Sequence, residues 1–176
     1  MIKILTIGNA LVDEIYQVSE EFLAQAGLPK GSMTLVDAPA QRRIREQLKN
    51  MKPRRASGGS AANTARGLAH LGIPCGFIGK VGQDETGEFF LSDMKQTGVV
   101  PHLGAGTLDS GVALTLMTPD SERTFATYLG SAVQMSAEEL DADLIAGFDL
   151  IHIEGYLVQD HELFESILEI AADEGL

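Results

Sequence analysis

The 176-residue sequence predicts a layered α/β fold. Nearly continuous apolar runs at residues 2–8 and 75–81 are typical of strands buried in a parallel sheet. Segments with helical spacing alternate with these runs, and this alternation favours helices packed against that sheet. Other segments alternate apolar with polar residues, which predicts a second, smaller sheet with two different faces.

The composition limits the partners that we expect. The net charge of −12 argues against nucleic acid, because affinity for a phosphate backbone depends mainly on Lys and Arg. No uncharged apolar run reaches the length of a membrane span, and the chain begins with a strand-like segment instead of a basic region followed by an apolar one. We therefore expect a cytoplasmic protein that does not contact a membrane. The single cysteine, Cys75, is expected to be buried and inert.

The first apolar run is followed by two polar residues, Asn9 and Asp13. Open α/β sheets collect ligands at the carboxyl ends of their strands, so Asp13 is a candidate binding residue. A solvated turn residue fits its position equally well.

The next segments alternate helix and strand. Ser19 is expected to cap a short helix over residues 19–28, and residues 31–36 alternate in the manner of an exposed strand. Residues 39–51 predict a second helix. A run of basic residues in this helix is expected to form a solvated face: Arg42, Arg43 and Arg45.

The stretch that begins with Gly58 and Gly59 is the most informative one. Adjacent glycines free the backbone just before Ser60, which is expected to cap a helix and leave the first amide groups facing outwards. Such a helix start is a site for a polar ligand. Small residues along the helix predict close packing on a sheet, and Asn63 in the first turn stays on its polar edge.

The rest of the chain continues the alternation. Asp84 is expected to cap a helix that runs to Gln96, and turn chemistry at residues 119–122 joins two extended segments into a hairpin. Three more elements are predicted: a helix capped by Ser136 over residues 137–146, a buried strand at 149–153 and a last helix at 160–173. Because a helix is the last element before Leu176, we expect this chain to be part of a longer protein.

Several motifs together resemble the ribokinase-like (pfkB) family of carbohydrate and nucleoside kinases. The two most specific are Gly58 to Asn63 (GGSAAN), followed by Leu71-Gly72, and Gly79 to Gly87 (GKVGQDETG). The resemblance continues in order along essentially the whole chain, at GNALVD (residues 8–13), ERT (122–124), LGSA (129–132) and EGYL (154–157).

The resemblance implies a doubly wound, mostly parallel sheet flanked by helices and covered by a small β-sheet lid. Residues 1–176 would then be the N-terminal part of one ribokinase-like α/β domain. The lid strands are expected as insertions at about 13–18, 31–37, 112–118 and 123–129.

The resemblance also implies roles for individual residues. Asp13 would accept hydrogen bonds from sugar hydroxyls, while Gly58, Gly59 and Asn63 would hold the other polar edge of the ring. A carboxylate and an amide suit a vicinal diol because they offer several acceptors and a donor. Two further positions match the family: Glu154, at a strand end facing the substrate cleft, and Arg123, which either meets the transferred phosphate or is a solvated lid residue.

The sequence departs from the family in one large respect. The family's second glycine-rich motif, which carries the catalytic base, and its magnesium-linked Asn-x-x-Glu motif are absent from residues 1–176. The catalytic base is therefore expected beyond Leu176. ATP and Mg2+ are implied as cofactors, with their sites mostly outside this chain. We expect this chain alone to be inactive, since phosphoryl transfer depends on positioning and electrostatic stabilisation by those missing groups.

The histidines offer no metal site. They stand at positions 70, 102, 152 and 161, a spacing that suits no set of metal ligands, and no second cysteine is present to join them. We expect ordinary core or surface positions for all four.

Three alternatives stay open at this point. The sequence around Arg123 and residues 129–132 favours adenosine kinase within the family. A non-catalytic module that binds a sugar or an interaction partner is the alternative from another class. Extended lid strands also leave an edge for pairing, which suggests a homodimer through the lid.

Overall fold

The computed structural model describes residues 1–176 and contains nine strands in two sheets together with six α-helices. The strands are β1 (Ile4–Ile7), β2 (Leu11–Gln17), β3 (Met33–Leu35), β4 (Arg54–Gly58), β5 (Cys75–Val81), β6 (Val100–Ala105), β7 (Gly111–Met117), β8 (Arg123–Tyr128) and β9 (Leu150–Ile153). The helices are α1 (Glu20–Ala26), α2 (Ala38–Leu48), α3 (Ser60–His70), α4 (Glu85–Gln96), α5 (Ala142–Ile145) and α6 (His161–Glu174). Short 3₁₀ segments lie at Gly130–Gln134, Ala137–Glu139 and Gly155–Gln159.

The four-stranded sheet is entirely parallel, with the order β6-β5-β1-β9. Helices α3 and α4 pack on one face, where alanines of α3 contact Phe77 and Phe90. Helices α5 and α6 cover the other face, where Ile145 and Ile167 pack on Leu5. The parallel sheet between two helical layers that the apolar runs predict is therefore confirmed.

The five-stranded sheet is mixed, with the order β3-β8-β7-β2-β4. Its strand β2 runs parallel to β7 and antiparallel to β4, and β7 and β8 form a hairpin. Helices α1 and α2 cover one face, where Leu23, Ile44 and Leu48 pack on Leu114 and Leu116. The opposite face carries no helix and forms one side of a cleft.

Residues along β2 alternate between these two faces. Val12, Glu14 and Tyr16 are buried on the helix-covered face, whereas Asp13 lies between them in sequence and on the open face. In the sheet register, Asp13 is flanked by Ala113 of β7 and Ala56 of β4. Small neighbours therefore surround the carboxylate on both sides.

Two predicted helix caps are confirmed. The side chains of Ser19 and Asp84 accept hydrogen bonds from backbone N–H groups in the first turns of α1 and α4. Asp160, where the last helix is expected to begin, caps α6 in the same way. Each cap satisfies a donor that the helix itself leaves unpaired.

The predicted cap of α3 is wrong. Gly59 occupies the N-cap position with φ +97°, Ser60 is the first helical residue, and no side chain caps the helix. The reason is that the hydroxyl of Ser60 donates to Glu154 instead.

The predicted helix over residues 137–146 is also wrong, because the segment is split. The side chains of Ser136 and Glu139 form a capping box around one 3₁₀ turn, after which Leu140 is extended. Asp141 then caps α5 as a new and short helix. Two local caps therefore produce two turns where the apolar spacing suggests a single helix.

The sequence pattern predicts neither β4 nor β6, and β9 is less buried than expected. Strand β9 pairs only with β1 and is an edge of its sheet, so Leu150 is 46% exposed. Strand β6 forms the other edge and contains Pro101 and Gly104, which are poor strand residues on intrinsic propensity.

Leu176 forms a backbone hydrogen bond with the last turn of α6. Its backbone N–H donates to the carbonyl of Ala171 at 2.9 Å, and Gly175 before it adopts the left-handed conformation with φ +74°. This pattern is a common way of ending a helix. The side chain of Leu176 packs against the core cluster that contains Leu163 and Ile167.

Candidate functional site

A cleft of about 600 Å³ opens beside the open face of the five-stranded sheet. Ten of its 18 lining residues are hydrophobic, so its walls are largely apolar. Polar groups enter it from the connection between β1 and β2, from the start of α3 and from the segment after β9: Asn9, Ser60 and Glu154. The cleft therefore lies where the ends of several elements of the parallel sheet meet.

Glu154 is the most deeply buried acid of this cleft, with 3% exposure. One of its carboxylate oxygens, Oε1, accepts the backbone N–H of Asn9 at 2.8 Å and also the side-chain amide of Asn9. The other, Oε2, accepts the hydroxyl of Ser60 at 2.8 Å and the backbone N–H of Ala61 at 3.4 Å. The carboxylate thus joins the ends of β1 and β9 to the first turn of α3, where a negative charge also suits the helix dipole.

Gly59 brings the start of α3 very close to the end of β1. A Cβ on this residue would lie 2.2 Å from the backbone oxygen of Asn9, and its φ of +97° is unfavourable for other residues. Glycine is therefore required here on two grounds. Asn63 follows in the first turn of α3, with an exposed side chain and with its N–H bonded to the Gly59 carbonyl.

Gly58 lies against the carboxylate of Asp13. A Cβ on Gly58 would lie 2.5 Å from Cγ of Asp13, which is closer than any side chain tolerates. The two residues belong to the neighbouring strands β4 and β2, whose antiparallel pairing brings them together. The carboxylate of Asp13 can occupy this position only because residue 58 has no side chain.

Asp13 is an acid in an unusual setting. Burial raises its pKa above the ordinary value of 3.8, and the positive charges of Arg66 and Arg123 oppose this rise. No protein donor forms a hydrogen bond with the carboxylate of Asp13. A half-buried carboxylate without a protein donor has acceptor positions free for a ligand.

The two arginines near Asp13 differ in their own contacts. Arg66 of α3 donates to the backbone oxygen of Ser57 at 2.7 Å, so it is partly occupied. Arg123 lies at the start of β8, where it is exposed and pairs in register with Met117. Of the two, Arg123 is free to meet an anion.

The residues proposed from the sequence fall into three groups. Gly59 and Glu154 line the cleft, and Asp13 and Gly58 touch each other on the five-stranded sheet. Asn63 and Arg123 are exposed residues, of which Arg123 acts on the charge of Asp13.

The sequence predicts Ser60 only as a helix cap, whereas in the structure its hydroxyl donates to Glu154 in the site. Its bond to Glu154 spans 94 positions in the chain, so no local pattern reveals it. A catalytic base beyond Leu176 lies outside these 176 residues and stays a prediction.

Another buried acid, Glu14, lies on the helix-covered face of the five-stranded sheet. It pairs with Arg45 of α2 at 2.7 Å and with Arg55 of β4 at 3.4 Å, and the hydroxyl of Tyr16 lies 3.4 Å from it. Burial, followed by the charge of Glu14, raises the pKa of Tyr16 to about 12. The prediction of a solvated basic face on α2 is therefore wrong for Arg45.

The structure has no group of three or more His, Cys, Asp or Glu side chains placed to hold a metal ion. None of its helices has the length and apolar character that crossing a membrane requires.

A model of the pfkB family of carbohydrate kinases matches residues 31–175 of the chain. Adenosine kinase from Saccharomyces cerevisiae is 31% identical over 87% of this chain and 47% of its own length. Probable fructokinase-6, chloroplastic, from Arabidopsis thaliana is 34% identical over 68% of this chain and 29% of its own length. The chain therefore spans about half, or less, of the length of these relatives.

Solved structures give the same result for the fold. A probable sugar kinase from Rhizobium etli CFN 42 superimposes with a TM-score of 0.88 and 32% identity, over 99% of this chain and 54% of that one. Adenosine kinase from Sinorhizobium meliloti gives 0.84 and 34%, over the same shares. The two-sheet arrangement described above is thus the arrangement of ribokinase-like kinases.

Proposed function

The chain belongs to the pfkB family of carbohydrate kinases, and from this membership we propose that it supplies the acceptor-binding half of an enzyme that transfers the γ-phosphate of ATP to a hydroxyl of a sugar or nucleoside. The observation that carries the proposal is Asp13, a half-buried carboxylate without a protein hydrogen-bond donor on the open face of the five-stranded sheet. That sheet would act as the lid. Residues 1–176 would be the N-terminal part of one domain, and the catalytic base would follow Leu176.

The chemistry of the site suits a ring with neighbouring hydroxyl groups. Asp13 offers several acceptor positions, and its partial burial strengthens a hydrogen bond to it relative to one in water. Gly58 and Gly59 let the ring approach the backbone, and the amide of Asn63 both donates and accepts. Together these groups would fix the orientation of the acceptor.

Glu154 has a different part in this proposal. Its two oxygens already accept hydrogen bonds from Asn9, Ser60 and Ala61. It would therefore act on the acceptor mainly by holding the end of β1 and the start of α3 in place.

Arg123 is proposed to contact the phosphate during transfer. Its exposed guanidinium carries a positive charge close enough to act on Asp13, and transfer of a phosphoryl group depends on positive charge around the moving group. The family implies the use of ATP. The residues present offer no cluster of metal ligands, so we assign no residue of this chain to Mg2+.

We propose a nucleoside as the acceptor in preference to a free sugar, and adenosine as the first nucleoside to test, because two of the relatives are adenosine kinases. Met33 and Leu35 are 50% and 61% exposed, Tyr156 is 61% exposed, and all three line the cleft. An apolar wall of this kind suits the flat face of a nucleobase, whereas a free sugar presents hydroxyls in most directions.

The test is phosphoryl transfer from ATP by the purified natural protein to adenosine, ribose and fructose. We expect a kcat/KM for adenosine at least tenfold above that for either sugar. A preference for fructose or ribose would keep the kinase and reject adenosine as its acceptor. Tight binding of adenosine without any transfer from ATP would support a non-catalytic binding module instead.

A second copy of the chain is the proposed partner, through the lid. Strand β3 is an edge of the five-stranded sheet, so the backbone groups on its outer side have no partner strand. Sedimentation of the folded protein is expected to give a dimer, and a monomer at high concentration would reject this contact. A cytoplasmic location stays a prediction.

A further inference from the structure

Ser57 is a fully buried residue at the outer edge of the five-stranded sheet. It lies in β4, which pairs only with β2 and is therefore an edge strand. The carboxylate of Asp93 accepts both its backbone N–H, at 2.8 Å, and its hydroxyl, at 2.6 Å. Arg66 donates to its backbone oxygen at 2.7 Å. Every polar group of Ser57 is thus bonded to a side chain of a helix.

These helices belong to the other sheet. Asp93 lies on α4 and Arg66 on α3, and both helices pack on the parallel four-stranded sheet. The bonds to Ser57 therefore fix an edge strand of one sheet to the helical layer of the other. They do so one residue before Gly58.

We propose that Asp93 is a positioning residue of the acceptor site, which through Ser57 holds Gly58 against Asp13 and Gly59 against Asn9. This inference rests on the proposed function, because the site it positions is the proposed acceptor site. Asp93 itself does not line the cleft.

The distances explain why the position of this segment matters. Gly58 and Gly59 approach Asp13 and the Asn9 carbonyl so closely that a single added carbon would lie 2.5 Å and 2.2 Å from them. Small displacements of groups that orient a substrate weaken its binding and turnover strongly. A charged acceptor holds two donors more firmly than a neutral one does, so a carboxylate is suited to the task.

The test replaces Asp93 by Asn, which keeps the shape but makes the oxygen that accepts both bonds from Ser57 neutral and therefore a weaker acceptor. We expect faster hydrogen exchange across residues 56–60 in the ligand-free protein. We also expect the KM for the acceptor to rise about tenfold while the KM for ATP stays unchanged. A general loss of stability would affect both substrates, so this difference separates positioning from a merely structural role.

Two further variants complete the design. Glu88→Gln removes a carboxylate from the exposed face of the same helix and is expected to change neither exchange nor KM. Ser57→Ala removes the hydroxyl donor, and we expect its effect on the acceptor KM to be much smaller in the Asp93→Asn background than in the wild type, because the two residues act as a pair.

Each outcome bears on one proposal. Unchanged exchange at residues 56–60, or an unchanged acceptor KM in an active Asp93→Asn variant, overturns the role of Asp93. Faster exchange in Asp93→Asn supports the attachment of β4 by Asp93. If the wild-type protein at the same time phosphorylates neither adenosine nor fructose nor ribose, the proposed function is rejected.

Discussion

Gly58 and Asp13 lie so close that only a hydrogen atom fits between them: a Cβ on the glycine would be 2.5 Å from Cγ of the acid. The contact joins two strands that are distant in sequence and adjacent in the sheet. A side chain added at position 58 would therefore displace the carboxylate of Asp13.

Replacing Gly58 by Ala is therefore expected to displace the carboxylate of Asp13. We expect a loss of about 1–2 kcal/mol of folding stability, as for overpacking, and roughly a tenfold or larger rise in the KM for the acceptor. The matched control is Gly67→Ala in α3, where a Cβ meets nothing within 4 Å. This variant is expected to gain about 0.5–1 kcal/mol with no change in KM. Equal KM values for the two variants would contradict the role of the contact.

Replacing Asp13 by Asn is expected to separate stability from binding. Burial raises the pKa of Asp13 above 3.8, so the folded state binds the proton more tightly than the unfolded state. The ionised form therefore lowers stability above the folded-state pKa, and this penalty disappears as the pH falls below 3.8.

The neutral amide of the Asp13→Asn variant carries no such penalty. The variant is expected to melt at a higher temperature than the wild type at about pH 7, with the difference vanishing in acid. Thermal stabilisation by adenosine is expected to be largely lost. A variant that keeps normal affinity for the acceptor would reject Asp13 as a binding residue.

Replacing Glu154 by Gln is expected to lower the free energy of unfolding by about 2–3 kcal/mol, since buried donors of Asn9, Ser60 and Ala61 then face an amide with one acceptor oxygen. Urea denaturation measures this change. Glu165→Gln, on the exposed face of α6, serves as the control and is expected to stay within about 0.5 kcal/mol. A similar small effect at Glu154 would show that the network is not required for folding.

Replacing Glu14 by Gln is expected to cost about 2–3 kcal/mol, less than for a fully buried pair because Arg45 is 37% exposed. The pKa of Tyr16 should fall from about 12 but stay above the ordinary value of 10.0, because burial is the larger cause of its shift. Spectroscopic titration of the tyrosines measures it. The control, Glu46→Gln, breaks an exposed ion pair with Lys49 and is expected to change stability by less than about 0.5 kcal/mol.

Replacing Arg123 by Ala is expected to lower kcat for phosphoryl transfer about 10–100-fold with little change in the acceptor KM. In the proposed role, the positive charge of Arg123 near the moving phosphate would stabilise the transition state more than the bound acceptor. Arg43→Ala, on the exposed face of α2, is the control and should leave kcat unchanged. An unchanged kcat for Arg123→Ala would make this residue a solvated lid residue.

The sequence predicts those parts of the fold that local pattern controls. The strand at residues 75–81 is apolar apart from Lys80 because it is buried on both faces, and the side chain of Asp84 caps the following helix through a bond to nearby Gly87. Strand β4 has no such pattern. Its residues bond to the side chains of Glu14, Asp93 and Arg66, which belong to other elements. The sequence of β4 alone therefore does not predict a strand.

The candidate site shows the same division. Gly58 and Gly59 stand out because adjacent glycines before a helix are recognisable locally, whereas Asp13, expected after the end of a strand, lies inside β2. The contact between Gly58 and Asp13 is not recognisable locally, because it depends on the antiparallel register of β2 and β4. The hydrogen bond from Ser60 to Glu154 is likewise not predictable locally, because it forms only where the ends of β1 and β9 meet the start of α3.

The alternation of β2 also has a consequence for redesign. Asp13 and Glu14 are adjacent in the chain, yet Asp13 lies on the open face of the sheet and Glu14 lies in the core under α2. The odd-numbered positions of this strand, Leu11, Asp13 and Ile15, lie on the open face, so under the proposed function their substitution is expected to alter the choice of acceptor while the helix-covered core stays intact. A library confined to these positions is expected to test new acceptors at little cost in folding stability. Deletion of one residue before Asp13 would instead shift the register and move Asp13 and Glu14 each to the opposite face of the sheet.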